Sequence, residues 1–85
     1  MDAHKVEIYT KQGCRYSDNA RAYLSARGIP FKDIDVAAPE AKEDMVARSG
    51  GRETTPQVFL EGEHIGGYDD MVQGGLLERF RSSPQ

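Results

Sequence analysis

Val6-Glu7-Ile8-Tyr9-Thr10-Lys11-Gln12-Gly13-Cys14-Arg15-Tyr16-Ser17 runs from an alternating apolar pattern into the start of a helical one, with a cysteine at the join. Val6, Ile8 and Thr10 share one face of an extended chain, the period-two signature of a strand. Ala20, Tyr23, Leu24 and Arg27 then recur at helical spacing, and Gly28 supplies a stop before Pro30. Cys14 therefore falls at the mouth of a helix. It is the only thiol in 85 residues, so any disulfide it forms must borrow its second sulfur from another molecule.

Outward from this segment the pattern repeats. Phe31–Val36 alternates as a second strand. Pro39 opens a helix whose apolar face is Ala38, Ala41, Met45 and Val46, ending at Ser49-Gly50-Gly51. Gln57–Leu60 is a third strand, Glu61-Gly62 a tight turn, and Glu63–Ile65 a short return strand. Gly66-Gly67 interrupts it. Asp69 or Asp70 then caps a last helix through Met71, Leu76, Leu77 and Phe80, and Ser82–Gln85 frays. Gly74-Gly75 inside that helix would cost roughly 1 kcal/mol each relative to alanine, so a break is expected there.

The order strand, helix, strand, helix, hairpin, helix predicts an α/β fold. A right-handed crossover makes the first two strands parallel, and the hairpin closes a mixed four-stranded sheet with helices on its faces.

Composition narrows the function classes. The formal charge of −3 is small and both signs are interspersed, so no basic stripe argues for nucleic acid. No stretch approaches membrane-spanning length, and no apolar run follows Met1-Asp2-Ala3-His4-Lys5. A lone cysteine without an export signal predicts a reducing, cytoplasmic setting. His4 and His64 are distant from Cys14 in sequence and compose no zinc pattern with it.

Three islands in this order resemble the glutaredoxins of the thioredoxin-like superfamily: the Cys14 segment, Thr54-Thr55-Pro56-Gln57-Val58-Phe59, and Gly66-Gly67-Tyr68-Asp69-Asp70. The resemblance implies one thioredoxin-like domain over residues 1–85, with a four-stranded sheet and about three helices. Most short glutaredoxins carry Cys-Pro-Tyr-Cys, whereas this chain reads Cys14-Arg15-Tyr16-Ser17. It also differs from the Cys-Gly-Phe-Ser class, which has its lysine further upstream. The scaffold resembles the dithiol class, and Ser17 occupies the position of the resolving cysteine.

What the resemblance implies is a glutathione-dependent oxidoreductase that reduces protein–glutathione mixed disulfides through Cys14 alone. Lys11 would pair with the glycyl carboxylate of glutathione. Thr55, before a cis Pro56, would offer its backbone to the tripeptide. Tyr68 and Asp69 amides, behind Gly67, would receive the γ-glutamyl carboxylate. Tyr16 would wall the sulfur. Lys42 is left outside this set. The expected partners are glutathione and glutathionylated proteins, and the expected state is a monomer. An alternative is a [2Fe–2S] carrier, in which Cys14 of two chains and two glutathiones ligate the cluster. A dithiol electron donor follows only if a cysteine belongs at position 17.

The residues support such chemistry. A thiol of pKa ~8.5 is only about 3% ionised at neutral pH. A helix start, the Lys11 and Arg15 charges, and a Ser17 hydroxyl donated to the sulfur should all depress the Cys14 pKa. Depression adds little to attack, because nucleophilicity falls as the pKa falls. It helps most when Cys14 leaves a mixed disulfide.

Overall fold

A computed structural model describes residues 6–75. His4, Leu76, Leu77, Phe80 and the expected frayed end lie outside the described residues. Strand β1 (Val6–Thr10) leads into helix α1 (Arg15–Ala26), β2 (Phe31–Asp35), α2 (Pro39–Arg48), β3 (Gln57–Leu60), β4 (Glu63–Gly66) and a short α3 (Tyr68–Asp70). The strands form one mixed sheet in the order β2-β1-β3-β4. β1 pairs parallel to β2 and antiparallel to β3, and β3 pairs antiparallel to β4. This is the predicted mixed four-stranded architecture.

Burial follows from the central place of β1. Val6 and Ile8 point to one face, where they pack with Ala20 and Leu24 of α1, Val58 and Leu60 of β3, and Met71. Tyr9 points to the other and packs with Phe59 of β3 and Met45 of α2. Each large side chain so buried contributes about 1.5–3 kcal/mol. The first face is covered by more apolar side chains than the second, where only Met45 of α2 is fully buried. Polar contacts complete the second face. Arg48 of α2 donates to Tyr9 Oη at 2.7 Å and to Glu7 Oε1 at 2.9 Å, and Tyr9 donates to Asp44 Oδ2 at 2.5 Å.

The last segment shows two uses of glycine. Gly66 belongs to β4 rather than ending it, at φ 130°, and a Cβ there would lie 2.7 Å from Asp70 Cβ and Cγ. Only glycine lets the Asp70 carboxylate fold back and accept from the Gly67 amide at 3.1 Å. Asp70 thus caps α3 from within its first turn, with Gly67 at the N-cap. The helical path then continues through Met71–Gly75 and leaves helical geometry at Gln73 and at Gly74, where φ is 107°. The break expected at the glycine pair is present.

The register decides where the site lies. Thr10 faces Asp35 of β2, and Tyr9 faces Gln57 of β3. The end of β1, the end of β2 and the start of β3 therefore meet at one edge of the sheet. Their loops bring residues 11–14, 35–37 and 53–55 together.

Candidate active site

Cys14 is the N-cap of α1, with extended backbone angles, and its amide bonds back to the Lys11 carbonyl at 3.2 Å. Its carbonyl accepts the Asp18 amide at 3.1 Å, which starts the helix. The side chain is half-buried at the edge of a cleft of about 570 Å³, also lined by Lys11, Asp35, Lys42, Glu53 and Thr55. α1 is tied to the sheet at the same edge. Arg21 donates to Asp33 at 2.6 Å, Asp18 at 2.7 Å and Thr10 at 2.9 Å.

The sulfur has close polar company. Thr55 Oγ1 donates to Cys14 Sγ at 3.5 Å, and the Thr55 carbonyl lies 3.7 Å from the same sulfur, placed to accept the S–H. The Cys14 pKa is lowered to about 7. The Thr55 hydroxyl is the largest cause, opposed by burial and helped by the Ser17 hydroxyl and the Ser17 and Tyr16 amides. The direction agrees with the expectation, as do the Ser17 hydroxyl and the amides of the helix start; the Thr55 hydroxyl was not expected, and the expected charges are not among the causes. Hydrogen bonds hold the thiol down, rather than the Lys11 and Arg15 charges.

Ser17 is fully buried, and its Oγ accepts the Lys11 amide at 3.2 Å, bracing the loop that carries the sulfur. The Thr55–Pro56 peptide is cis, as the resemblance implied. Gln57, fully buried, fixes the preceding residue: its Nε2 donates to Thr54 O at 3.0 Å and to Thr54 Oγ1 at 3.2 Å. With that nitrogen engaged, the Gln57 oxygen faces His64 Nε2 at 2.7 Å, so this ring nitrogen carries the proton. Burial lowers the His64 pKa, with a further push from the Arg52 charge and partial opposition from Asp70.

A second, shallower hollow of about 280 Å³ adjoins the first across Thr54 and Thr55. Tyr16, Arg52, Pro56, Gly67, Tyr68 and Asp69 line it. The Tyr16 and Tyr68 rings meet at 5.9 Å between centroids, and Tyr16 is 55% exposed. A Cβ on Gly67 would touch the Pro56 carbonyl at an ordinary 3.6 Å, so the fold itself does not demand glycine there.

The named residues thus divide between two adjoining hollows with Thr55 in common. Lys11 and Cys14 lie in the larger; Tyr16, Pro56, Gly67, Tyr68 and Asp69 lie in the smaller. Sequence reasoning missed the Thr55 hydroxyl and Arg52. An exposed arginine after two glycines carries no local signal, and the hydroxyl acts across 41 positions.

The glutaredoxin family model matches residues 6–65, from the first residue of β1 into β4. The chain belongs to the glutaredoxin family. Glutaredoxin 3 of Escherichia coli strain K12 is 41% identical over 75 residues, spanning 84% of this chain and 90% of that protein. The solution structure of a glutaredoxin from Brucella melitensis superposes with a TM-score of 0.72 at 40% identity, covering 92% of this chain and 85% of that one. A buckwheat glutaredoxin–glutathione complex shares the fold, with a TM-score of 0.76 at 21% identity over 92% of this chain and 74% of its own. The thioredoxin-like fold of this glutaredoxin therefore stands on both its own sheet order and its neighbours. Among the described residues no helix is long and apolar enough to cross a membrane.

Proposed function

We propose that residues 1–85 act as a single glutaredoxin domain that reduces protein–glutathione mixed disulfides through Cys14 alone. The observation that carries this reading is a thiol bonded by the Thr55 hydroxyl, its pKa lowered, at the edge of an open cleft in a chain with no second cysteine. A pKa of about 7 leaves roughly half the sulfur as thiolate at neutral pH.

The cycle needs one protein sulfur. Cys14 thiolate attacks the glutathione sulfur of the mixed disulfide; that S–S bond breaks, and the substrate protein leaves as thiolate and takes a proton from solvent. A second glutathione, losing its proton, attacks the glutathione sulfur of the Cys14–glutathione disulfide. Glutathione disulfide forms and Cys14 leaves as thiolate. The two electrons come from glutathione. A leaving group of low pKa speeds the second step.

Recognition of the tripeptide is assigned to the two hollows. Lys11 takes the glycyl carboxylate, with Lys42 beside it in the same cleft. The Thr55 backbone pairs with the extended peptide before Pro56. Gly67 leaves space for the γ-glutamyl end, where the Tyr68 and Asp69 amides meet its carboxylate, and Tyr16 covers the sulfur. The buckwheat complex makes glutathione the first ligand to try. A reducing compartment such as the cytoplasm suits a cycle that consumes reduced glutathione.

The test is glutathione-dependent reduction of a glutathionylated peptide, coupled to glutathione reductase, beside a Cys14→Ser control. Turnover that vanishes in the control supports the reading. No turnover from a folded wild-type chain that binds glutathione overturns it. A [2Fe–2S] carrier would draw one thiolate from each of two chains, because Cys14 is the chain's whole thiol supply. Anaerobic reconstitution separates that alternative: a colourless monomer excludes it, and a coloured glutathione-dependent dimer establishes it.

A further inference from the structure

The family assignment accounts for the backbone of Thr55 but leaves its side chain without a task. That side chain hydrogen-bonds the sulfur directly. Oγ1 sits 3.5 Å from Cys14 Sγ, and the carbonyl of the same residue sits 3.7 Å from it. The two groups are complementary. A hydroxyl donates to a thiolate, and a carbonyl can only accept, which suits the protonated thiol.

Thr55 cannot drift from this post easily. The next residue, Pro56, is buried, and the residue before it is held by two hydrogen bonds from buried Gln57. The hydroxyl is thus presented by a braced loop rather than by a freely rotating surface chain.

We propose that Thr55 is a catalytic residue through its side chain, its hydroxyl stabilising the Cys14 thiolate as that sulfur leaves a mixed disulfide. In that step the incoming thiolate bonds to the outer sulfur, the bond to Cys14 Sγ breaks, and Cys14 departs with the electron pair. The Thr55 hydroxyl receives the developing charge. When the sulfur later takes a proton, the Thr55 carbonyl accepts the S–H. The inference rests on Cys14 being the reacting sulfur, as in the proposed function, and not on the identity of the thiol that resolves the disulfide.

Other groups face the same sulfur or its cleft: Ser17 beneath it, Lys11, Lys42, Asp35 and Glu53 around the cleft, and Arg15 next in sequence. All are retained in the test, which compares Thr55→Val, Thr55→Ala and Thr55→Ser with the wild type. The first measurement is the pH dependence of Cys14 alkylation by iodoacetamide, which needs no glutathione. A hydrogen bond to a charged acceptor is worth about tenfold in the acidity constant, or ~1 pH unit. The expected result is an upward shift of about that size in the Val and Ala variants and almost none in the Ser variant. The second measurement is the rate at which a small thiol releases a preformed Cys14 mixed disulfide. It should fall about threefold in Val and Ala, following a Brønsted-type dependence on the leaving thiol, and recover in Ser.

An unchanged alkylation midpoint in the Val and Ala variants overturns the proposal. So does an equal shift in all three, because serine keeps the hydroxyl and the change would then reflect packing. Loss of glutathione turnover with a normal alkylation pattern would count against the proposed function and leave this inference standing.

Discussion

Two polar clusters sit on this sheet, and they differ in what they leave unmet. Around Arg48, the bonds to Tyr9 and Glu7 are 2.7 and 2.9 Å, Tyr9 in turn reaches Asp44, and the guanidinium stacks 4.4 Å above Phe59. Around Cys14, the partners stand off at 3.5 and 3.7 Å from a sulfur that borders an open cleft. The first cluster satisfies its charges internally and joins α2 to β1. The second holds an anion ready for something outside. Polarity and a shifted pKa are common to both, since burial raises the Tyr9 pKa and the Asp44 bond adds to it. Both clusters reach solvent, Asp44 being 59% exposed, so what separates a site from a clamp is a nucleophile whose long hydrogen bonds leave it free to react.

That contrast can be broken. Cys14→Ser should have the largest effect on function, taking turnover to background in the coupled assay while thermal unfolding shifts little. A large loss of stability instead would make Cys14 part of the clamp. Arg48→Met should do the reverse. Removing the guanidinium takes from Glu7 and from the Tyr9 hydroxyl the hydrogen bond each accepts from it, although Tyr9 keeps its bond to Asp44, at a cost of about 1–3 kcal/mol read by urea unfolding. The Cys14 alkylation midpoint should stay near its wild-type value. Coupling between the two would show as a shifted midpoint.

Smaller effects sharpen the picture. Gly66→Ala should displace the Asp70 carboxylate and release the Gly67 amide, costing about 1–2 kcal/mol through the lost cap and the φ of 130°. Gln57→Leu frees Thr54 and should raise the KM for the glutathionylated peptide more than it lowers kcat, since it loosens a recognition loop. A change in kcat alone would argue against that placement.

The smallest effect is on acid stability. Folding holds the His64 pKa below its usual 6.5, so the folded state prefers the neutral ring. Its contribution is fully present above pH 6.5 and declines as pH falls through that value toward the lower folded one. In a Cys14→Ser background, which removes the thiol's own titration, urea midpoints should fall from pH 7 to 5, and His64→Gln should flatten that slope. An identical slope in His64→Gln would remove His64 from the pH response.

Most of the framework was legible in local pattern. Alternation marked β1 and β2, the Glu61-Gly62 turn marked the end of β3, Pro39 marked the start of α2, and the Gly74 break was visible as two glycines where a helix was otherwise due. β4 was read one residue short because Gly66 looked like a terminator; its role as a strand residue depends on Asp70, four positions on. The position of Cys14 at the head of α1 was equally local. Its environment was only partly so, through the Ser17 hydroxyl and the Tyr16 and Ser17 amides. The charges at Lys11 and Arg15 were near in sequence and so drew the argument, while the group that most lowers the pKa comes from residue 55.

By itself, then, the sequence determined the element order, the single thiol and the serine at the resolving position, because these depend on residues within a turn or two of one another. Only the tertiary structure decided which hydroxyl meets the sulfur, which carboxylate caps α3 by crossing a glycine, and which arginine joins α2 to the sheet. Those are contacts between side chains far apart in the chain, and their distances are set by sheet register and by packing on either face of β1.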